Sequence, residues 1–171
     1  MDLKLFDFQL DKNNIALEPV SPRDHSKLLV LDEDWSDLNF FDLPSFLDSG
    51  DTLVINETKV IPSYFECIRK RADKSSKIKL NLIKELEDGC WLILVKPKKR
   101  IQINDKIIFS ATDQIEAKVL AFEEDEHVKI SFNFEKEKLI KWIFDNGTMP
   151  LPPYIMSQRD IKKEDELDYQ T

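Results

Sequence analysis

From about Ile61 to Phe134 the chain alternates apolar and polar residues. Ile78, Leu80 and Leu82 interleave with Lys77, Lys79 and Asn81, and Ile115, Ala117 and Val119 with Gln114, Glu116 and Lys118. Val128, Ile130, Phe132 and Phe134 interleave with His127, Lys129, Ser131 and Asn133. Successive side chains of a strand point to opposite faces, so a period of two predicts strands with one face in the core. Tyr64 to Arg69, the run Trp91–Val95 and Ile107–Phe109 add further strands, with turns signalled at Asp88-Gly89 and Asn104-Asp105. About six short strands in one span predict an antiparallel barrel or a compact sandwich, because closure removes edges this apolar.

The flanks carry a different pattern. Phe6 and Phe8 sit among polar residues, and Asp11-Lys12-Asn13-Asn14 breaks the run. Val20–Ser26 predicts a loop through Pro22, after which Lys27–Leu31 predicts a buried strand. Asp42 is placed to cap a short helix over Leu43–Ser49 that Gly50 closes, and Thr52-Leu53-Val54-Ile55 predicts a second apolar strand. Past the strand-rich region, Glu135 and Glu137 open a helix with Leu139, Ile140, Ile143 and Phe144 on one face, and Asn146-Gly147 predicts a left-handed stop. Three prolines, Pro150, Pro152 and Pro153, then predict a stiff extended segment with neither helix nor ladder pairing, returning toward whatever the first sixty residues build. The organisation expected is a mixed first part over 1–60, a barrel with its closing helix over 61–147, and a proline-rich return over 148–171.

Composition narrows the class. With 171 residues, 42% of them apolar and only three glycines, the chain can bury a core, and collagen-like or low-complexity readings fail. No run approaches a membrane span of about 18 apolar residues, and Met1–Asp7 lacks the basic and apolar blocks of a signal peptide, so the cytoplasm is the expected compartment. Cys67 and Cys90 each lie in an apolar segment without a CxxC spacing and are read as reduced core thiols. His25 and His127 are far apart in the chain, so no metal site is expected.

The net charge of -8 is unevenly spread: from Glu66 to Lys106 there are 12 basic and 6 acidic residues. Arg69, Lys70 and Arg71 and then Lys96, Lys98, Lys99 and Arg100 are the dense clusters, at strand ends from which loops would project them together toward a polyanion such as RNA. The same runs also read as a solvated loop surface. Without a glycine-rich phosphate loop, a nucleotide-like ligand would be held by side chains at strand ends. Asn56, Thr58 and Lys59 follow a predicted strand, where open α/β sheets gather ligand groups, although Asn56 and Thr58 also suit a turn cap. Asp24 beside Arg23 is a candidate acid–base carboxylate and, equally, a local ion pair.

Several segments together resemble one family. They are Phe6-Asp7-Phe8 with Leu10, Ile15-Ala16, Pro22-Arg23-Asp24-x-Ser26-x-Leu28-Leu29 and Gly50-Asp51-x-Leu53-Val54-x-Asn56-x-Thr58-Lys59-Val60-Ile61-Pro62. Met149-Pro150-Leu151-Pro152-Pro153-Tyr154-Ile155 and Tyr169-Gln170-Thr171 complete the set. In order and spacing these are similar to the S-adenosylmethionine:tRNA ribosyltransferase-isomerases of queuosine biosynthesis, over essentially the whole chain. The resemblance implies an α/β domain, incomplete here, with an inserted antiparallel β-barrel. It also implies S-adenosyl-L-methionine as ribosyl donor, no metal, and a tRNA carrying 7-aminomethyl-7-deazaguanine at the wobble position, converted to epoxyqueuosine with loss of adenine and methionine.

On that resemblance Asp24 and Lys59 are the catalytic candidates, Arg23, Ser26, Asn56, Thr58, Tyr154 and Tyr169 line the substrate site, and the two basic clusters meet RNA. The family pattern continues beyond Tyr169-Gln170-Thr171, so the chain corresponds to an N-terminal half, and a C-terminal half supplied in trans is a candidate partner. Three positions depart from the pattern: Ser63-Tyr64 stands for Ala-Arg, Lys27 for an arginine, and Lys79 for a glutamate. A noncatalytic tRNA-binding fragment is the alternative reading.

Overall fold

The strand-rich middle closes on itself. In the computed structural model, which describes residues 2–31, 34–110 and 112–170, six antiparallel strands form a barrel. They are β3 (Tyr64–Arg71), β4 (Lys74–Glu85), β5 (Trp91–Lys96), β6 (Lys106–Ser110), β7 (Ile115–Phe122) and β8 (Val128–Phe132), after β1 (Lys27–Leu31) and β2 (Trp35–Asn39) nearer the N-terminus. Around the cylinder the order is β3-β4-β5-β8-β7-β6, with β6 pairing back onto β3 through Ile68–Ile108 and Lys70–Lys106. Register shifts at Leu82/Lys84, Ile108/Ser110 and Val119/Ala121 supply the local bends that let so few strands curve shut.

The period of two works out as expected. Ile93, Ile107, Ile115, Val119, Val128 and Ile130 are wholly buried inside the barrel, and their neighbours in sequence are more exposed, except that Ile108, at a register shift, is buried beside Ile107. The helix α1 (Lys136–Asn146) adds Leu139 and Ile143 to the same core. Trp142 stacks on Phe65 at 5.5 Å between ring centroids and donates its indole N–H to Asp113 at 2.9 Å. Cys67 and Cys90 are free thiols in this core, as the sequence indicated.

Gly147 ends α1, but not in the left-handed conformation expected: its φ is -74°. The position needs glycine for space, since a Cβ there would lie 1.8 Å from the carbonyl oxygen of Pro62. The segment after it also departs from expectation. Thr148 pairs with Tyr64 across an isolated bridge, because proline begins only at 150 and leaves the Thr148 N–H free to donate. Pro153 starts the short helix α2 (Pro153–Met156), where the missing N–H of a first-turn proline costs nothing.

The chain divides into two compact units, Met1–Glu57 with Pro153–Asp160, and Thr58–Pro152 with Ile161–Thr171, so the barrel unit is inserted into the first. The first unit holds the β1–β2 hairpin, α2 and 3₁₀ turns at Leu3–Phe6, Lys12–Asn14, Arg23–His25 and Phe40–Phe46. Its β1 is half-exposed rather than buried, because β2 is its one partner among the described residues. The helix expected over Leu43–Ser49 is the 3₁₀ turn Phe40–Phe46: Asn39 is the N-cap residue, and Asp42, inside the turn, completes a capping box by accepting from the Asn39 N–H at 3.0 Å. Thr52–Ile55 is not a strand. Val54 is 89% exposed, and among the described residues no strand pairs with this segment to complete a ladder.

Candidate functional site

The nominated residues fall into separate groups, set by the turns that carry them. In the first unit Pro22 opens the 3₁₀ turn Arg23–His25, and the Ser26 N–H closes it on the Arg23 carbonyl at 3.2 Å. Arg23, Asp24 and Ser26 are thereby held on consecutive positions, with Arg23 and Asp24 exposed. The turn is anchored by the His25 ring edge-on to Phe41 at 5.2 Å and by the Phe40 N–H donating to the Ser26 carbonyl at 2.8 Å. Asn56 and Tyr154 belong to the same unit, the latter on α2 and 53% exposed.

In the barrel unit two motifs 110 positions apart are clamped together. The Val60 N–H donates to the Gln170 side-chain oxygen at 2.8 Å, and the Gln170 amide donates back to the Val60 carbonyl at 3.2 Å and to the Glu166 carbonyl at 2.8 Å. That bracket places Thr58 and Lys59 beside the chain segment that bears Tyr169. The Lys59 ammonium sits 5.8 Å above the Phe144 ring, at the outer limit of a cation–π contact. Gln170 was not nominated from sequence. A side-chain amide matched to one peptide group leaves no spacing signature, because its partner is set by tertiary structure.

The basic clusters do meet at one end of the barrel, around a buried acid that sequence reasoning also missed. Asp105 is 1% exposed and accepts two bonds of 2.6 Å from the Arg71 Nε and Nη2. It also accepts from the Gln102 N–H at 2.8 Å, and the Arg69 Nε lies 3.9 Å away. Burial pushes the Asp105 pKa up, but the Arg71 hydrogen bonds, the Gln102 N–H and the charges of Arg71 and Arg69 outweigh it, so the pKa lies below the ordinary carboxylate value. Arg71 also donates to the Arg100 carbonyl at 3.2 Å, and Arg100 donates to the Lys77 carbonyl at 3.1 Å. Arg69 and Arg71 therefore face a carboxylate, and Lys98 lies over the Phe122 ring at 5.9 Å. Lys70, Lys96 and Lys99 are exposed.

Among the described residues no group of three or more His, Cys, Asp or Glu is placed to hold a metal ion, and no helix is long and apolar enough to cross a membrane. The Cys67 thiol is pushed up to about 12 by burial and by the neighbouring Glu66 charge, and the Cys90 thiol is raised chiefly by burial, so neither is a ready nucleophile.

A family model described as queuosine biosynthesis protein matches residues 3–171. The chain is 38% identical over its full length to the S-adenosylmethionine:tRNA ribosyltransferase-isomerase of Beijerinckia indica, covering 49% of that protein. It is 36% identical to the protein of the same name from Hyphomonas neptunium, covering 50% of it. A crystal structure of S-adenosylmethionine tRNA ribosyltransferase from Thermotoga maritima is 31% identical, over 90% of this chain and 52% of that one, with a TM-score of 0.40. The chain spans about half the length of the curated relatives it matches. Matched from end to end by the family model, it belongs to the queuosine biosynthesis protein family.

Proposed function

We propose that this chain supplies the barrel and part of the α/β unit of an S-adenosylmethionine:tRNA ribosyltransferase-isomerase acting in the cytoplasm. The carrying observation is the match to that family over residues 3–171. In the reaction, S-adenosyl-L-methionine donates its ribosyl unit to the aminomethyl nitrogen of 7-aminomethyl-7-deazaguanine at the wobble position of tRNA, giving epoxyqueuosine. The nitrogen gains the five-carbon unit and gives up a proton. A proton leaves the carbon beside the sulfonium, which forms the carbon–carbon bond that closes the five-membered ring. The carbon–sulfur bond breaks with its electron pair on the sulfur of methionine as the former ring oxygen bonds to that carbon and closes the epoxide. The glycosidic bond breaks with its pair on adenine, which takes up a proton.

Arg23 and Lys59 would neutralise a substrate carboxylate or phosphate, while Ser26, Asn56 and Thr58 would bond ribose or base edges. Asp24 would orient Arg23 or take the proton acidified by the adjacent sulfonium, and Tyr154 and Tyr169 would stack on a base. Support for this assignment is the exposure of Arg23 and Asp24 on one anchored turn and the Gln170 bracket beside Lys59.

The partner expected is polypeptide matching the other half of the relatives. Its support is the first unit's surface: Leu31 is 66%, Trp35 79% and Leu53 64% exposed, and Ile155 is the one fully buried apolar residue of that unit among those described. So much uncovered apolar area is unusual for a free domain. The test is release of adenine and methionine from S-adenosylmethionine in the presence of precursor-bearing tRNA, with this chain alone and with the complementary half of a relative added. Turnover only in the mixture is the expected result. tRNA retention without turnover in either case would establish the second reading, a noncatalytic tRNA-binding module.

A further inference from the structure

The outer wall of the barrel stacks like charges directly opposite one another. Lys70 on β3 faces Lys106 on β6, and Lys106 faces Lys118 on β7, giving a rung of three lysines on adjacent strands. Lys79 on β4 faces Lys96 on β5 in a second rung. All five are exposed. Directly opposed like charges destabilise a sheet, so the free protein gains nothing from either rung. One lysine of each rung has a carboxylate: Glu116 reaches Lys106 at 2.7 Å, and Glu66 reaches Lys79 at 3.0 Å and raises its pKa. Lys70, Lys96 and Lys118 have no ion-pair partner among the described residues.

The two rungs meet where β3 adjoins β4: from there one runs round the closed barrel through β6 to β7 and the other to β5. The rungs lie four residues apart along β3, at Lys70 and Glu66, which is about 13 Å, and each extends sideways at roughly 4.8 Å per strand. Lys77 and Arg100 join Lys79 and Lys96 around a groove of about 600 Å³, whose wall includes Ile68, an exposed apolar residue. A small anion is held by donors that converge on it. Lysines standing side by side on a convex wall instead match an extended polyanion.

We propose that this wall is a track for the RNA backbone, with Lys118, Lys106 and Lys70 as one set of phosphate contacts and Lys79, Lys96 and Lys77 as the other. The proposal rests on the tRNA reading above and refines it: Arg69 and Arg71, nominated from sequence, are turned to Asp105, and the contacts move to the outward lysines of the strands. Phosphate contacts of this kind position the nucleic acid and carry no base information.

The test uses the full chain, an in vitro transcribed tRNA with guanine at the wobble position, and the triple variant Lys70→Gln/Lys106→Gln/Lys118→Gln. Binding is titrated from about 50 to about 200 mM salt, and the log–log slope of the variant is expected to be shallower by roughly 2–3, with affinity near 0.1 M salt reduced on the order of 10²-fold. Its melting temperature should change little, since the opposed charges removed offset the loss of the exposed Lys106–Glu116 pair. The same charge change on α1, Lys136→Gln/Lys138→Gln/Lys141→Gln, should leave the slope near that of the parent.

A parent chain that binds tRNA with a salt slope the triple variant retains overturns the track and leaves the tRNA reading standing. A parent chain that binds no tRNA at any salt overturns the tRNA reading itself. Equal competition by polyglutamate overturns RNA as the occupant and identifies an acidic protein surface instead.

Discussion

The guanidinium of Arg71 grips the carboxylate of Asp105 with two parallel bonds of 2.6 Å, and so ties the end of β3 to the turn that opens β6. Asp105 also caps the Gln102 N–H through its side chain, while its carbonyl accepts from the Val119 N–H at 2.9 Å. One buried residue thus joins three parts of the barrel where the cylinder closes. Asp105→Ala should cost about 2–3 kcal/mol by denaturant melting, below the 3–5 typical of a fully buried pair because Arg71 is 38% exposed. A loss under 0.5 kcal/mol would show the pair to be incidental.

Acid should loosen the same joint. The folded Asp105 pKa lies below its unfolded value of about 3.9, so its stabilisation is fully present above that value and is lost as pH falls through the lower folded one. Asp88, lowered first by Lys129 and then by the Cys90 N–H, acts in the same direction. Unfolding free energy measured from pH 6 downward should begin to fall below about pH 4, and the Asp105→Asn variant should fall less steeply. Equal slopes in parent and variant would remove Asp105 from the account.

Thiol chemistry should report unfolding rather than function. Because Cys67 titrates near 12 and Cys90 is also raised, alkylation at pH 8 should be slow in the folded chain and complete within minutes in denaturant. Rapid labelling of either cysteine without denaturant would contradict the burial described.

Gly147→Ala tests the close approach that ends α1. The added methyl meets the Pro62 carbonyl oxygen, and relief requires moving backbone at both places. Destabilisation of about 1–3 kcal/mol is expected, against a few tenths for a glycine serving only as a helix stop. Melting curves of the variant decide between the two.

Gln170→Ala removes both bonds of the bracket to Val60. Each is worth roughly 0.5–1.5 kcal/mol net, so the global loss is modest, and the sharper readout is amide exchange. Val60 should lose protection selectively, while Ile93 and Ile130 in the barrel core exchange as before. Unchanged protection at Val60 would show that the bracket is not what orders the segment.

The barrel was legible because its signal is local. Ile78, Leu80 and Leu82 occupy one face in any strand that contains them, whichever strands lie alongside. The strand expected at Thr52–Ile55 and the helix expected at Leu43–Ser49 failed for the opposite reason. A ladder needs a second chain segment, and a few residues of helix need packing that propensity alone does not provide. The candidate segments Arg23-Asp24 and Asn56–Lys59 could be proposed from residue types alone, but the groups that hold the chain in place around such segments could not. Asp105 and Gln170 act on groups 34 and 110 positions away, and nothing in the chain near them marks those partners.

What the sequence by itself determined is the alternation that makes half-buried antiparallel strands, the buried setting of two apolar-flanked thiols and the family to which the ordered motifs belong. Only the tertiary structure decided which cations are spent on an internal carboxylate and which stand outward. Strand register, not composition, sets whether a lysine lies opposite an acid or another lysine, and register is fixed only when the barrel closes.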